Sequence, residues 1–94
     1  MKIQWFEDAV GDLRALRHYI AHDNPIAANQ ISKKILNTIN LLSTQPEIGR
    51  TGRVVNTREL IISDTPYIIP YRVKNNVIEI IRVLHSSMQW PEQF

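Results

Sequence analysis

The run from Tyr67 to His85 constrains this chain more than any other stretch. Tyr67–Val73 and Val77–His85 are both rich in β-branched residues, and only Lys74-Asn75-Asn76 separates them. Asparagine tolerates the left-handed backbone that tight hairpin turns need, so the two runs read as adjacent antiparallel strands. A third strand-like run, Arg58–Ile62, precedes them across Ser63-Asp64-Thr65-Pro66. Pro70 stands inside the middle run. Proline has no N–H to give a ladder, so a bulge or an unpaired position is expected there. Alternation along the last run puts Ile78, Ile80, Arg82 and Leu84 on one face and Val77, Glu79, Ile81, Val83 and His85 on the other.

The N-terminal half has a helical period. Lys2–Trp5 is short and partly β-favouring, an edge strand. From Glu7 to His22, the residues Ala9, Leu13, Leu16 and Ile20 recur at the spacing of an amphipathic helix. Glu7, Asp8 and Asp12 lie near its start, where negative charge suits the helix dipole. Asp23-Asn24-Pro25 breaks it, with Asn24 as an N-cap and Pro25 at the first position of a second helix. That helix runs to about Ser43 and aligns Ala28, Ile31, Ile35, Ile39 and Leu42. Thr44–Thr57, punctuated by Pro46, Gly49 and Gly52, is the main loop, from which Arg50 and Arg53 project. The fold expected is α+β, an antiparallel helical hairpin packed on a small antiparallel sheet in the order β-α-α-β-β-β. Residues 1–94 make a single domain.

With no cysteine, disulfides and thiolate metal sites are excluded. The N-terminus lacks the apolar run of a signal peptide, and nothing approaches the roughly 20 apolar residues of a membrane span. A soluble cytoplasmic protein, away from any membrane, is the expectation. The net charge of +2 arises wholly in residues 48–94, since acids and bases balance in residues 1–47. So small an excess does not establish nucleic-acid binding, but it suits a local basic patch or an acidic partner.

Two kinds of surface follow. Both faces of the last strand are apolar enough to need cover. The helices supply one cover; the other face is either a partner surface or is wrapped by loops and the tail Ser86–Phe94, in which Trp90 and Phe94 can fold back. Arg50, Arg53, Arg58, Arg72 and Arg82 could gather around a phosphate, or pair with Glu47, Glu59 and Glu79. His85 at a strand end could be a general acid or base, or simply a hydrogen-bonded structural residue. His18 and His22 have metal-ligand spacing but no third ligand, so no metal and no cofactor are expected. No phosphate-loop, nucleotide-fold or nucleophile-elbow motif occurs.

The segments DLRALRHYIAHDNPIAA, PEIGRTGRV, TRELII, TPYIIPYRV and IIRVLHSSMQWP, in this order, resemble the RelE/ParE superfamily of type II toxin–antitoxin toxins across nearly the whole chain. The resemblance implies a toxin neutralised by a cognate antitoxin, with operator DNA bound only through that antitoxin. The superfamily has two activities. Ribonuclease members cut messenger RNA on the ribosome, using basic residues with a histidine or tyrosine; ParE-like members poison DNA gyrase without hydrolytic residues. Ribonuclease members typically have arginine directly after the first residue of the middle strand's tyrosine motif, where this chain has Ile68 after Tyr67. Their last strand ends in basic residues or a His-Tyr pair, where this chain has Ser86-Ser87-Met88 after His85. The ParE-like branch is therefore favoured.

On that branch Arg50, Arg53, Arg72 and Trp90 would meet the target, and Ile81, Val83, Leu13 and Leu16 the antitoxin. On the ribonuclease alternative His85 would act with Arg53, Arg58 and Arg82. A third alternative is a degenerate, non-toxic antitoxin-binding module, suggested by Met88, where many relatives have arginine.

Overall fold

A computed structural model describes residues 1–94. Strand β1 (Lys2–Trp5) leads into α1 (Glu7–Asp23) and α2 (Pro25–Asn40), and Leu41–Ser43 extends α2 as a turn of 3-10 helix. Asn24 serves both helices. Its N–H bonds the Ile20 carbonyl at the end of α1, and its side chain accepts from the Ala27 N–H at the start of α2. Five strands follow: β2 (Arg50–Thr51), β3 (Arg58–Ile61), β4 (Tyr67–Lys74), β5 (Val77–Ile80) and β6 (Leu84–His85). No helix is long and apolar enough to cross a membrane.

The sheet order is β1-β5-β4-β3-β2, with β6 also on β4. The expected edge strand is present, but β1 runs parallel to β5, so the sheet is mixed rather than antiparallel. The helical hairpin between β1 and the later strands is long enough to carry the chain back for such a pairing. β2 lies inside the segment expected to be loop, where Arg50 and Thr51 pair with Glu59 and Arg58. Asn75 and Asn76, both with positive φ, close the β4–β5 hairpin as expected.

The last strand is not continuous. Tyr71 pairs with Ile80 and Ile68 with Leu84, three steps along β4 against four along its partner. One extra residue is thus accommodated between β5 and β6, a β-bulge. It lies opposite Pro70, whose carbonyl accepts from the Ile81 N–H but whose nitrogen has nothing to return. The bulge inverts the alternation beyond it. Val83 joins Ile69, Ile78 and Ile80 in the core beneath the helices, and Leu84 turns with Ile68 to the opposite face.

The core gathers Ala9, Leu16, Ile35, Ile39 and Leu42 from the helical side against Leu60, Ile69, Tyr71 and Ile78 from the sheet. The other face is covered too. Ile68, Pro70, Ile81 and Leu84 are all buried, and Pro91, Gln93 and Phe94 line a cleft over Ile81 and Arg72. Loop and tail, not solvent, meet that face.

Candidate functional site

The polar chemistry is organised by three acids rather than by a cluster of arginines. Glu59 lies on the sheet face away from the helices with only 1% of its surface exposed. Such a carboxylate must be paired. Arg50 donates to Oε1 from Nε and Nη2 at 3.0 and 2.8 Å; Arg53 donates from its backbone N–H and Nε to Oε2 at 2.8 and 3.0 Å and from Nη2 to Oε1 at 3.2 Å. Burial opposes ionisation of Glu59, yet the Arg53 and Arg50 hydrogen bonds outweigh it and hold the carboxyl below its ordinary range. The Arg53 guanidinium also lies over the Trp90 ring, 3.7 Å from its centroid, a cation–π contact that ties the tail to the loop. Arg50, Arg53 and Trp90, three of the four residues expected to meet a target, therefore form one patch. Arg72 stands apart, paired with Glu79 at 2.6 Å and 5.7 Å from the Phe6 ring centroid.

Asp12 serves the bulge. It lies on the apolar stripe of α1 and accepts from Arg82 Nε and Nη2 at 2.7 and 2.9 Å, and from the Val83 N–H at 2.9 Å. The bulge displaces that N–H from the ladder, and the carboxylate satisfies it. The Asp12 hydrogen bonds to the guanidinium raise the Arg82 pKa, against the lowering effect of burial. Tyr71 anchors the loop: its buried hydroxyl accepts from the Gly49 N–H at 2.9 Å and donates to the Pro46 carbonyl at 2.8 Å. Burial pushes the Tyr71 phenol above its ordinary value, against the lowering effect of the Gly49 bond.

His85 lies with Tyr67 at one end of β4, its ring edge-on at 5.6 Å. The Ser87 N–H donates to Nδ1 at 3.1 Å, and the Ser87 hydroxyl is 2.7 Å from the same nitrogen. A backbone N–H can only donate, so Nδ1 is the acceptor and the neutral ring carries its proton on Nε2. The lone pair that a general base needs is then already engaged by Ser87. Arg58 pairs opposite Tyr71, four residues along β4 from His85's partner, roughly 13 Å away at strand rise. Arg82 is held against α1, and Arg53 on the outer face. The four residues of the ribonuclease alternative do not converge.

The antitoxin set also changes. Leu16, Ile81 and Val83 are buried in the chain itself, Val83 because the bulge turned it inward and Ile81 because the tail lies over it. Only Leu13 stays partly exposed, lining a crease between the helices with Val10, Leu36, Arg14 and Arg17. Val10 and Leu36, each about 40% exposed, are the apolar residues that the sequence reading missed. Both fall beside the periodic stripe rather than on it.

Comparison with known proteins agrees with this architecture. The family described as ParE toxin of type II toxin–antitoxin system, parDE, matches residues 3–90. Y4kP of Sinorhizobium fredii, which carries a toxin name, is 41% identical over 91 residues, spanning 97% of this chain and 94% of its own. Toxin RelE2 of Caulobacter vibrioides is 31% identical over 86 residues, spanning 92% and 96%. A chain from the chromosomal ParDE TA system of P. aeruginosa superposes with a TM-score of 0.80 at 28% identity, over 90% of this chain and 95% of that one. The YoeB/ParE toxin from Agrobacterium tumefaciens shares the fold at a TM-score of 0.64 and 17% identity, over 90% and 98%. The chain belongs to the ParE toxin family, and is a toxin of a type II toxin–antitoxin system.

Proposed function

We propose that this toxin arrests growth in the cytoplasm by binding DNA gyrase, without hydrolysing RNA, and that a cognate antitoxin neutralises it. The observation that carries the reading is the dispersal of the ribonuclease candidates. Transesterification at a 2′-hydroxyl needs a base with a free lone pair and cations at the same phosphate. Here Arg53 and Arg82 are each committed to a carboxylate, Arg58 lies near the other end of β4, and the Nδ1 lone pair of His85 is engaged by the Ser87 N–H. What the surface offers instead is a binding patch, Arg50 and Arg53 about half exposed beside Trp90. Stacked aromatic and arginine side chains are the usual anchors of protein interfaces.

The test is a supercoiling and cleavage assay with purified toxin, gyrase and plasmid DNA. Inhibited supercoiling with trapped double-strand breaks is expected, relieved by the cognate antitoxin, and unchanged in His85→Ala. An inert result from toxin that still binds its antitoxin, together with messenger RNA cleavage on ribosomes that His85→Ala abolishes, would replace this reading with the ribonuclease one.

A further inference from the structure

Val54 and Val55 are neighbours with opposite surroundings. Val54 is buried, whereas Val55 is 80% exposed, more than any other large hydrophobic residue in the chain. The turn that carries Val55 is fixed by its own bonds. The Thr57 N–H closes it on the Val54 carbonyl at 3.2 Å, and the Thr57 hydroxyl donates to the same oxygen at 2.7 Å. Asn56 takes φ 64, left-handed backbone that asparagine tolerates at the third position of a turn. At the foot of the turn the Gly52 N–H bonds the Thr57 carbonyl at 2.9 Å, and the Arg53 N–H bonds Glu59 at 2.8 Å. The apolar side chain of Val55 takes no part in these bonds.

A lone exposed valine would need no account. This one stands beside other apolar groups and beside charge. A cleft of about 240 Å³ opens next to it, walled by the turn, by Arg72 and by Gln93 and Phe94 of the tail. Two residues before Val55 comes Arg53, stacked on Trp90 and sharing Glu59 with Arg50. Two guanidinium groups on one carboxylate leave the patch one positive charge in excess, and Glu92 in the tail pairs with neither. An apolar knob next to half-exposed arginines is complementary to a protein surface that offers a small apolar pocket with a carboxylate rim. Because the turn is already in place, docking would not have to order it.

We propose that Val55 is the apolar anchor of the Arg50–Arg53–Trp90 patch, and that it seats in an acid-rimmed apolar pocket of the protein this toxin inhibits. The inference rests on the reading of that patch as the target-binding surface, and it names what the target must present. A nucleic-acid backbone would satisfy the arginines but leave Val55 among phosphates. The crease at Leu13 lies between the helices, so antitoxin binding supplies a separate check on each variant.

The test uses the full chain with three substitutions. Val55→Thr keeps the branched shape and removes apolar surface, Val55→Asp adds a negative charge, and Val55→Lys adds a positive one. Each is compared with wild type for Tm, antitoxin affinity, inhibition of gyrase supercoiling and growth arrest on expression. All three should keep the Tm and the antitoxin affinity of wild type. Inhibition should weaken about threefold in Val55→Thr, and about tenfold or more in Val55→Asp and Val55→Lys, since a charge cannot enter an apolar pocket unpaired. Full potency of folded Val55→Asp overturns the proposal. So does a matching loss of antitoxin affinity, which gives Val55 to the antitoxin, or stronger inhibition by Val55→Lys, which gives the patch to nucleic acid. If wild type spares gyrase yet arrests growth, the gyrase reading falls alone, and growth arrest carries the same comparison of variants. A folded wild type that arrests nothing overturns both.

Discussion

Replacing Glu59 by glutamine tests whether one buried carboxylate holds the loop, the sheet and the tail together. Glutamine keeps the shape and one acceptor oxygen but turns an amide NH2 toward two guanidinium groups. The carboxylate accepts five hydrogen bonds, four of them from the Arg50 and Arg53 side chains. Removing one partner of a fully buried ion pair costs about 3–5 kcal/mol. The arginine side chains here are 54% and 43% exposed and can turn to water, which lowers the expected loss to about 2 kcal/mol. For a chain of this size that is a fall in Tm of roughly 8–16 °C. The pH dependence supplies a second, independent reading. Folding holds the Glu59 pKa below its ordinary 4.5, so its stabilisation is complete above 4.5 and is lost as pH falls through the folded value. The gap between wild type and Glu59→Gln in thermal melts should therefore be constant from pH 6 to 8 and narrow below 4.5. A loss under about 0.5 kcal/mol, or a gap that does not narrow in acid, would refute the account, since a surface pair of no consequence behaves that way.

Tyr71→Phe removes the partner of the buried Gly49 N–H and should cost about 1–3 kcal/mol by urea unfolding. Wild-type Tyr71 should resist ionisation in alkaline spectrophotometric titration. Its raised pKa stabilises the fold below the ordinary 10.0, and that contribution is lost as pH climbs through the folded value. Asp12→Asn weakens both the Arg82 pairing and the cap on Val83, and should cost about 1–3 kcal/mol with faster amide exchange at Val83. Gly52→Ala places a methyl 2.7 Å from the Thr57 carbonyl oxygen, which backbone cannot easily relieve, and should lower Tm by several degrees while Gly11→Ala raises it slightly.

Much of the fold was legible because it rests on local signals. The apolar stripes gave both helices, Asn24-Pro25 their junction and Asn75-Asn76 the hairpin, each a feature with a mechanism inside a few residues. The parallel pairing of β1 with β5 was not legible, since partner and direction are set by tertiary closure rather than by Lys2–Trp5 itself. The bulge stands between these cases. Pro70 announced an irregularity in its own strand, but the extra residue lies on the neighbouring one, and strict alternation carried past it assigned Val83, Leu84 and His85 to the wrong faces.

That one error propagated into function, which shows how the site depends on the fold. With alternation unbroken, Ile81, Val83 and His85 shared one face, open either to a partner or to cover by loops and tail. With the bulge, Val83 enters the core and His85 turns beside Tyr67, with Ser87 fixing its tautomer. Asp12 could have signalled this. It lies three residues after Ala9 and four before Leu16, on the apolar stripe, where an unpaired carboxylate would be costly, and it lies beyond the first turn where a dipole accounts for acids. A buried-side acid on a helix implies a cation and a spare N–H on the element beneath it. Arg82 and Val83 are those two groups, and both exist because Pro70 breaks the ladder.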